Sequence, residues 1–293
     1  MTPRNSITRI TRNPFIDQLR FGWESRESLL CVGLDPDLER LPASYRERER
    51  EHHDGLLRFC CDIVDSTAGL VCAFKPQIAY FAALGRENQL AELIAYIHER
   101  HPEHPVILDA KRGDIGATAR LYAREAFERY DADAVTVNAY LGEESLAPFI
   151  EYRDRGVIVL CRTSNPDSAW LQNHPAEDPT YLRIARGVRE WNRHGNLLLV
   201  AGATYADDIG RIREVVADMP LLVPGIGAQG GDLASVMAAG CDRRGQGLII
   251  SASRSILFAD TGSPMEGARR AAAALRDEMR RLQKEIAPDR TVV

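Results

Sequence analysis

No apolar run in the 293 residues reaches the roughly 18 to 20 positions that a membrane-spanning helix needs, which argues against a helical membrane protein. The opening stretch, MTPRNSITRITRNPF, also lacks the apolar segment of a secretory signal, so a cytoplasmic location is expected. An excess of positive charge is missing too. The 37 Lys and Arg stand against 42 Asp and Glu, a formal charge of −5, so nothing global draws the chain to nucleic acid or an acidic membrane face. The six cysteines (Cys31, Cys60, Cys61, Cys72, Cys161, Cys241) form no C-x-x-C pair and lie in apolar surroundings, which predicts buried thiols rather than a zinc site or disulfide framework. No H-E-x-x-H pair exists to present two imidazoles on one helical face, so a metal site is not indicated.

What is present is the composition of a globular protein, 45% apolar and 27% charged. Short β-branched or Leu-rich runs recur at Leu29 to Leu34, Val71 to Lys75, Val106 to Lys111, Ala134 to Ala139, Val157 to Cys161, Leu197 to Ala201, Leu221 to Val223 and Leu248 to Ala252. Between them lie stretches with apolar positions three and four apart, among them Asp54 to Ala68, Glu87 to Glu99, Ile115 to Arg129 and Ala206 to Val216. Near-continuous apolar strands alternating with helices imply parallel strands buried on both faces. Eight such units in this length predict an α/β fold of the (β/α)8 barrel type, with a doubly wound sheet as the alternative. No Ser/Gly linker or shift of composition marks a boundary, so residues 1–293 are expected to form one domain. The additions to the barrel are a basic amino-terminal arm and surface insertions near 39–53 and 165–179. The alternating charges of Arg46 to Glu51 and the Ala- and Arg-rich stretch Met265 to Ile286 read as solvated helix faces.

In such a barrel the chemistry sits where strands run out into the following loops, so charged residues there are informative. Asp35 follows the first strand, an ordinary place for a turn former or helix cap as well as for a ligand. Lys75 ends the second and would leave its ammonium in a dry barrel unless carboxylates or a ligand receive it; Asp35 on the adjacent strand is the expected partner. The third strand ends Asp109-Ala110-Lys111-Arg112-Gly113-Asp114. In extended backbone Asp109 and Lys111 share a face, and Asp114 begins the next turn. Two carboxylates flanking an ammonium keep it protonated and poised as a proton donor. A Schiff-base lysine would instead need its pKa depressed. Strand seven runs into Gly225-Ile226-Gly227-Ala228-Gln229-Gly230-Gly231, and strand eight into Ser251-Ala252-Ser253-Arg254. Small residues exposing backbone N–H groups beside a guanidinium predict a phosphomonoester site.

With these residues in place, the sequence from about Leu29 to Ala259 resembles the orotidine 5′-phosphate decarboxylases, in their longer bacterial form. The D-x-K-x-x-D run at Asp109, Lys111 and Asp114, continued by Ile115-Gly116-Ala117-Thr118, carries the resemblance, in register with Lys75, Gly225 to Gly231 and Arg254. The resemblance implies conversion of orotidine 5′-monophosphate to UMP and CO2 without cofactor or metal, by a homodimer with shared sites. It implies that Asp35 and Lys75 hold the ribose hydroxyls, that Asp109 sits beside the substrate carboxylate, and that Lys111 protonates carbon 6. It further implies that Asp114 and Thr118 enter from the neighbouring subunit, that Ser164 contacts the pyrimidine, and that Gln229 and Arg254 bind phosphate. The chain departs from the pattern at Ser253, where many members have Gly, and at Arg112, where shorter members have an aromatic residue. A metal-dependent sugar-phosphate lyase on the same barrel, or a nucleotide-phosphate sensor without catalysis, are the competing readings.

Overall fold

A computed structural model describes residues 12–226, 231–259 and 263–287. Eight parallel strands form a barrel: β1 (Leu30–Leu34), β2 (Ala73–Pro76), β3 (Ile107–Arg112), β4 (Ala134–Val137), β5 (Gly156–Arg162), β6 (Leu197–Ala201), β7 (Leu221–Pro224) and β8 (Leu248–Ala252). Continuous ladders join them in the order β2-β1-β8-β7-β6-β5-β4-β3. The ring closes between β2 and β3 through isolated bridges, Phe74 to Val106 and Gln77 to Asp109. Every residue of β1, β4, β6 and β8 is buried, as the unbroken apolar runs require of strands covered on both faces.

The strands fall where the hydrophobic runs place them, with ends shifted by one or two residues. β2 is the largest shift. Val71 and Cys72 are buried but precede the ladder, which starts at Ala73. The helix expected over Ile115 to Arg129 is Gly116–Arg124 continued by a π-helical turn, Glu125–Arg129. Insertion of one residue into a helix in this way lets the last turn reach Tyr130 and the buried loop to β4 without breaking the apolar face. Five of the six cysteines are buried and all are free thiols.

Part of the amino-terminal region turns out to be structural. The helix Phe15–Ser25 lies across the amino-terminal end of the barrel, with Phe15, Leu19 and Trp23 buried. Phe15 packs so closely on β5 that a Cβ at Gly156 would come within 2.4 Å of its ring, which is why β5 starts with glycine. The insertion near 39–53 folds as the helix Ala43–His52 with no buried residue, a solvated face as its charges suggest. The carboxyl-terminal helix, Pro264–Ile286, is less solvated than its sequence suggests. It buries Ala268, Ala272, Met279 and Leu282, so its small residues form a packing stripe. No helix among the described residues is long and apolar enough to cross a membrane.

His104, just before β3, is buried with its Nε2 at 2.7 Å from the carbonyl of Ala68 and its Nδ1 without a partner among the described residues. Burial, with Arg26 nearby, pushes its pKa down to about 4. The unfolded chain therefore binds a proton that the folded chain refuses, so stability is complete above the ordinary histidine pKa and declines as pH falls towards about 4. Urea unfolding is expected to show up to about 3 kcal/mol of loss from this group across that window. His104→Gln, whose amide can still donate to Ala68, should flatten the decline. An unchanged slope in the variant would contradict the assignment.

Candidate active site

At the carboxyl-terminal mouth of the barrel, β2 and β3 bring two lysines to one carboxylate. Lys75 Nζ donates to Asp109 Oδ2 at 3.0 Å, and Lys111 Nζ donates to Asp109 Oδ1 at 2.6 Å. Lys75 is buried, whereas the Lys111 side chain is 48% exposed, so one ammonium is fixed in the wall and the other faces the mouth. Burial alone would push Lys75 towards neutrality, but the carboxylates of Asp109 and then Asp35 more than reverse this and its pKa rises. Burial would likewise push Asp109 up, yet Lys75 and Lys111 together hold its carboxyl far below the usual carboxylate range. A buried charge is tolerated when it is paired and its lone pairs are satisfied, and Asp109 meets both conditions.

The third donor to Asp109 is Thr136 of β4, whose Oγ1 lies 2.9 Å from Oδ1. The same oxygen accepts from the backbone N–H groups of Ala110 (3.0 Å) and Lys111 (2.9 Å). These bonds replace a ladder that is broken here. Leu108 pairs with Val135 and Arg112 with Val137, so three residues of β3 stand against Thr136 alone. Lys111 occupies the left-handed region at φ +47°, an unfavourable conformation for a side chain of its kind. Asp109 and Lys111 do meet, as expected, but across a bulge rather than along a regular strand of period two.

Two other expectations need correction. Asp35 is not the hydrogen-bond partner of Lys75; it acts on it only through its field, and its own Oδ1 is buried with no partner among the described residues. Asp114 does not flank Lys111 within the chain. Its Oδ1 accepts from the N–H of Ile115 at 2.8 Å, and Asp109 is the one carboxylate paired with Lys111 among the described residues. The flanking of Lys111 by two carboxylates therefore does not arise inside one chain.

The remaining candidates lie around the same rim. Ser164 follows β5, and its backbone sits directly on Gly202 after β6, where a Cβ would come within 2.7 Å of Ser164 N and Cα. Arg254 is exposed at the first position of the short helix Arg254–Leu257, just past β8. Gly225, at φ +105°, turns the chain out of β7. Thr118 is exposed on the helix Gly116–Arg124 and makes no hydrogen bond to Lys75, Asp109 or Lys111. Gln229 lies outside the described residues. No cluster of His, Cys, Asp and Glu suited to a metal occurs among the described residues.

Sequence reasoning passed over Thr136, because a threonine in a strand reads as an ordinary β-former. It also passed over Arg162, the last residue of β5, although a charged residue ending an apolar strand was the available signal. Thr136→Val keeps the shape but strips Asp109 of one donor and two backbone amides of their acceptor. Chemical denaturation is expected to show a loss of about 2 to 3 kcal/mol. A loss below about 0.5 kcal/mol would mean that water replaces the hydroxyl and that the bulge does not depend on it.

Comparison with known proteins agrees with this geometry. The family model of orotidine 5′-phosphate decarboxylase / HUMPS matches residues 28–271. The chain is 55% identical to the orotidine 5′-phosphate decarboxylase of Aromatoleum aromaticum, over 91% of this chain and 98% of that protein. It is 57% identical to the protein of the same name from Dechloromonas aromatica, over 84% and 90% of the two chains. Among solved structures, Leishmania donovani OMP decarboxylase superposes with a TM-score of 0.79 at 35% identity, covering 92% of this chain and 98% of its own. Similarity of sequence over nearly the whole length, on a barrel of the same topology, means that this chain belongs to the orotidine 5′-phosphate decarboxylase family of carboxy-lyases.

Proposed function

We propose that this protein decarboxylates orotidine 5′-monophosphate to UMP and CO2 in pyrimidine nucleotide synthesis, with Lys111 as proton donor. The observation that carries the reading is the Lys75–Asp109–Lys111 array, with Lys111 the member open to the mouth. When the bond between carbon 6 and the carboxylate breaks, its electron pair stays on a ring carbon with little resonance to spread it. An ammonium held beside that carbon stabilises the developing charge, and the proton that Lys111 then gives to carbon 6 completes UMP. Lysine is left neutral and regains its proton from solvent. Electrons balance within the substrate, so the step needs no oxidant or reductant.

The other residues take roles that follow from their places. Asp35 holds a buried oxygen in want of a donor, which a ribose hydroxyl supplies, with Lys75 next to it. Asp109 lies beside the substrate carboxylate, where like charge favours release of CO2. Ser164 meets the base, and Arg254, with Gln229 and the Gly225 loop, binds the phosphate. Phosphate contacts far from the breaking bond can contribute binding energy to catalysis.

The functional unit in this reading is a cytoplasmic homodimer with shared sites. Lys111 has no second carboxylate partner among the described residues of its own chain, while the segment that carries Asp114 and Thr118 also exposes the apolar side chains of Ile115 (53%) and Leu121 (60%). Exposed apolar side chains of this kind are suited to contact with a second copy, which would bring its Asp114 and Thr118 to the neighbouring mouth.

Lys111→Ala and Asp114→Ala homodimers should each lose decarboxylation in an ultraviolet assay, while Lys111→Ala retains affinity for UMP. In a mixed dimer one site receives both substitutions and the other neither. Subunit exchange at equal concentrations should then restore roughly a quarter of wild-type activity. Mixed dimers seen by mass spectrometry without recovered activity would place both residues in one chain's site, and near-normal turnover by Lys111→Ala would refute the proton-donor role.

A further inference from the structure

The loop carrying Ser164 is built on a side chain that the reaction itself does not use. Arg162 ends β5 with its side chain 1% exposed. A guanidinium so deeply buried must spend its donors on fixed acceptors, and it does. Its Nε donates to Asp208 Oδ2 at 2.8 Å. One terminal nitrogen donates to Ser168 Oγ (2.6 Å), Gln172 Oε1 (3.2 Å) and the carbonyl of Thr163 (3.2 Å). Its plane stacks on Tyr205, with Cζ 3.6 Å from the ring centroid. Asp208 is in turn held by the hydroxyl of Tyr181 at 2.9 Å, so the anchor is tied to two further helices.

What Arg162 holds is a turn. Gln172 Oε1, besides accepting from Arg162, accepts from the N–H of Thr163 at 2.9 Å, and its Nε2 donates to Thr163 Oγ1 at 2.9 Å. Thr163 Oγ1 donates to Asn165 Oδ1 at 2.8 Å, and Ser168 Oγ donates to the carbonyl of Asn165 at 2.7 Å. Both residues flanking Ser164 are thus bonded to groups that Arg162 fixes. Gly202 closes the other side, leaving no space for Ser164 to retreat. Residues 165–172, the first part of the surface insertion expected near 165–179, fold back as a clamp on Thr163.

We infer that Arg162 and Gln172 are positioning residues that present Ser164 to the base of the nucleotide, and so set selectivity for a base-bearing ligand over the bare sugar phosphate. The inference rests on the reading of Ser164 as the base contact. A purely structural role would instead lower stability and weaken every ligand alike.

Titration calorimetry with UMP and with ribose 5-phosphate separates the two. Gln172→Ala leaves Arg162 paired with Asp208 and should bind UMP about tenfold more weakly, with ribose 5-phosphate changed by less than about twofold. Adding Gln172→Ala to Ser164→Ala should bring less than about twofold further loss beyond Ser164→Ala alone, because both act through one contact. Ser168→Ala, which removes one acceptor of Arg162, is the second variant and should show the same ligand-selective pattern. Equal weakening of both ligands, additive losses, or unchanged UMP affinity would overturn the clamp. Wild-type protein that neither decarboxylates orotidine 5′-monophosphate nor binds UMP would overturn the functional reading itself, and that control is read before any variant.

Discussion

A carboxylate shared between two ammonium groups constrains everything at the mouth of this barrel. Lys75 and Lys111 together keep Asp109 ionised in its buried place, and Asp109, with Asp35 behind it, keeps Lys75 charged in the barrel wall. Removing one partner of the buried Lys75–Asp109 pair is a defect worth several kcal/mol. The second carboxylate oxygen then fixes Lys111, but only because β3 abandons its ladder and lets Thr136 satisfy the amides released. The left-handed backbone of Lys111 is a local cost that this network offsets.

The two ends of the barrel use buried carboxylates differently. At the amino-terminal end Asp133 receives His98 (2.9 Å), Gln18 (3.3 Å) and the N–H of Val106 (2.9 Å), with Arg12 and Arg155 close by. All its partners are buried or part-buried, and the helix Phe15–Ser25 seals them from solvent. Asp109 is bonded as thoroughly, yet one of its partners is half exposed. The first arrangement holds the barrel shut. The second leaves an ammonium half exposed at the rim, where the proposed reaction would use it, in keeping with stability at one face and chemistry at the other.

The strands were legible because a parallel sheet buried on both faces leaves an unmistakable run of apolar residues, and all eight lie within a few residues of their runs. Asp109 and Lys111 were legible because charge at the end of such a run demands a partner. Thr136 was hidden because its importance lies in a register slip, which exists only once β4 is laid beside β3. Arg162, ending an apolar strand, gave the same signal of a charge in need of a partner, but which partners it takes, Asp208 46 residues on and Gln172 10 residues on, is settled only in the fold. The pairing expected between Asp35 and Lys75 failed on geometry, since adjacency of strands does not decide which of two nearby carboxylates an ammonium reaches.

In the proposed reaction the charge of Asp109, and not merely its shape, holds Lys111 ready at the reacting carbon. Asp109→Asn keeps the side chain's size and its capacity to accept from Thr136, while removing the negative charge that two ammonium groups share. The decisive measurement is single-turnover decarboxylation of orotidine 5′-monophosphate by this variant, beside calorimetric affinity for UMP, which has no carboxylate at carbon 6. A fall of at least about 10²-fold in the rate of the chemical step is expected, the scale of losing one preorganised electrostatic contact, with UMP still bound. A rate within about tenfold of wild type, less than the general-acid and electrostatic contributions normally measured, would mean that the charge of Asp109 does not serve Lys111.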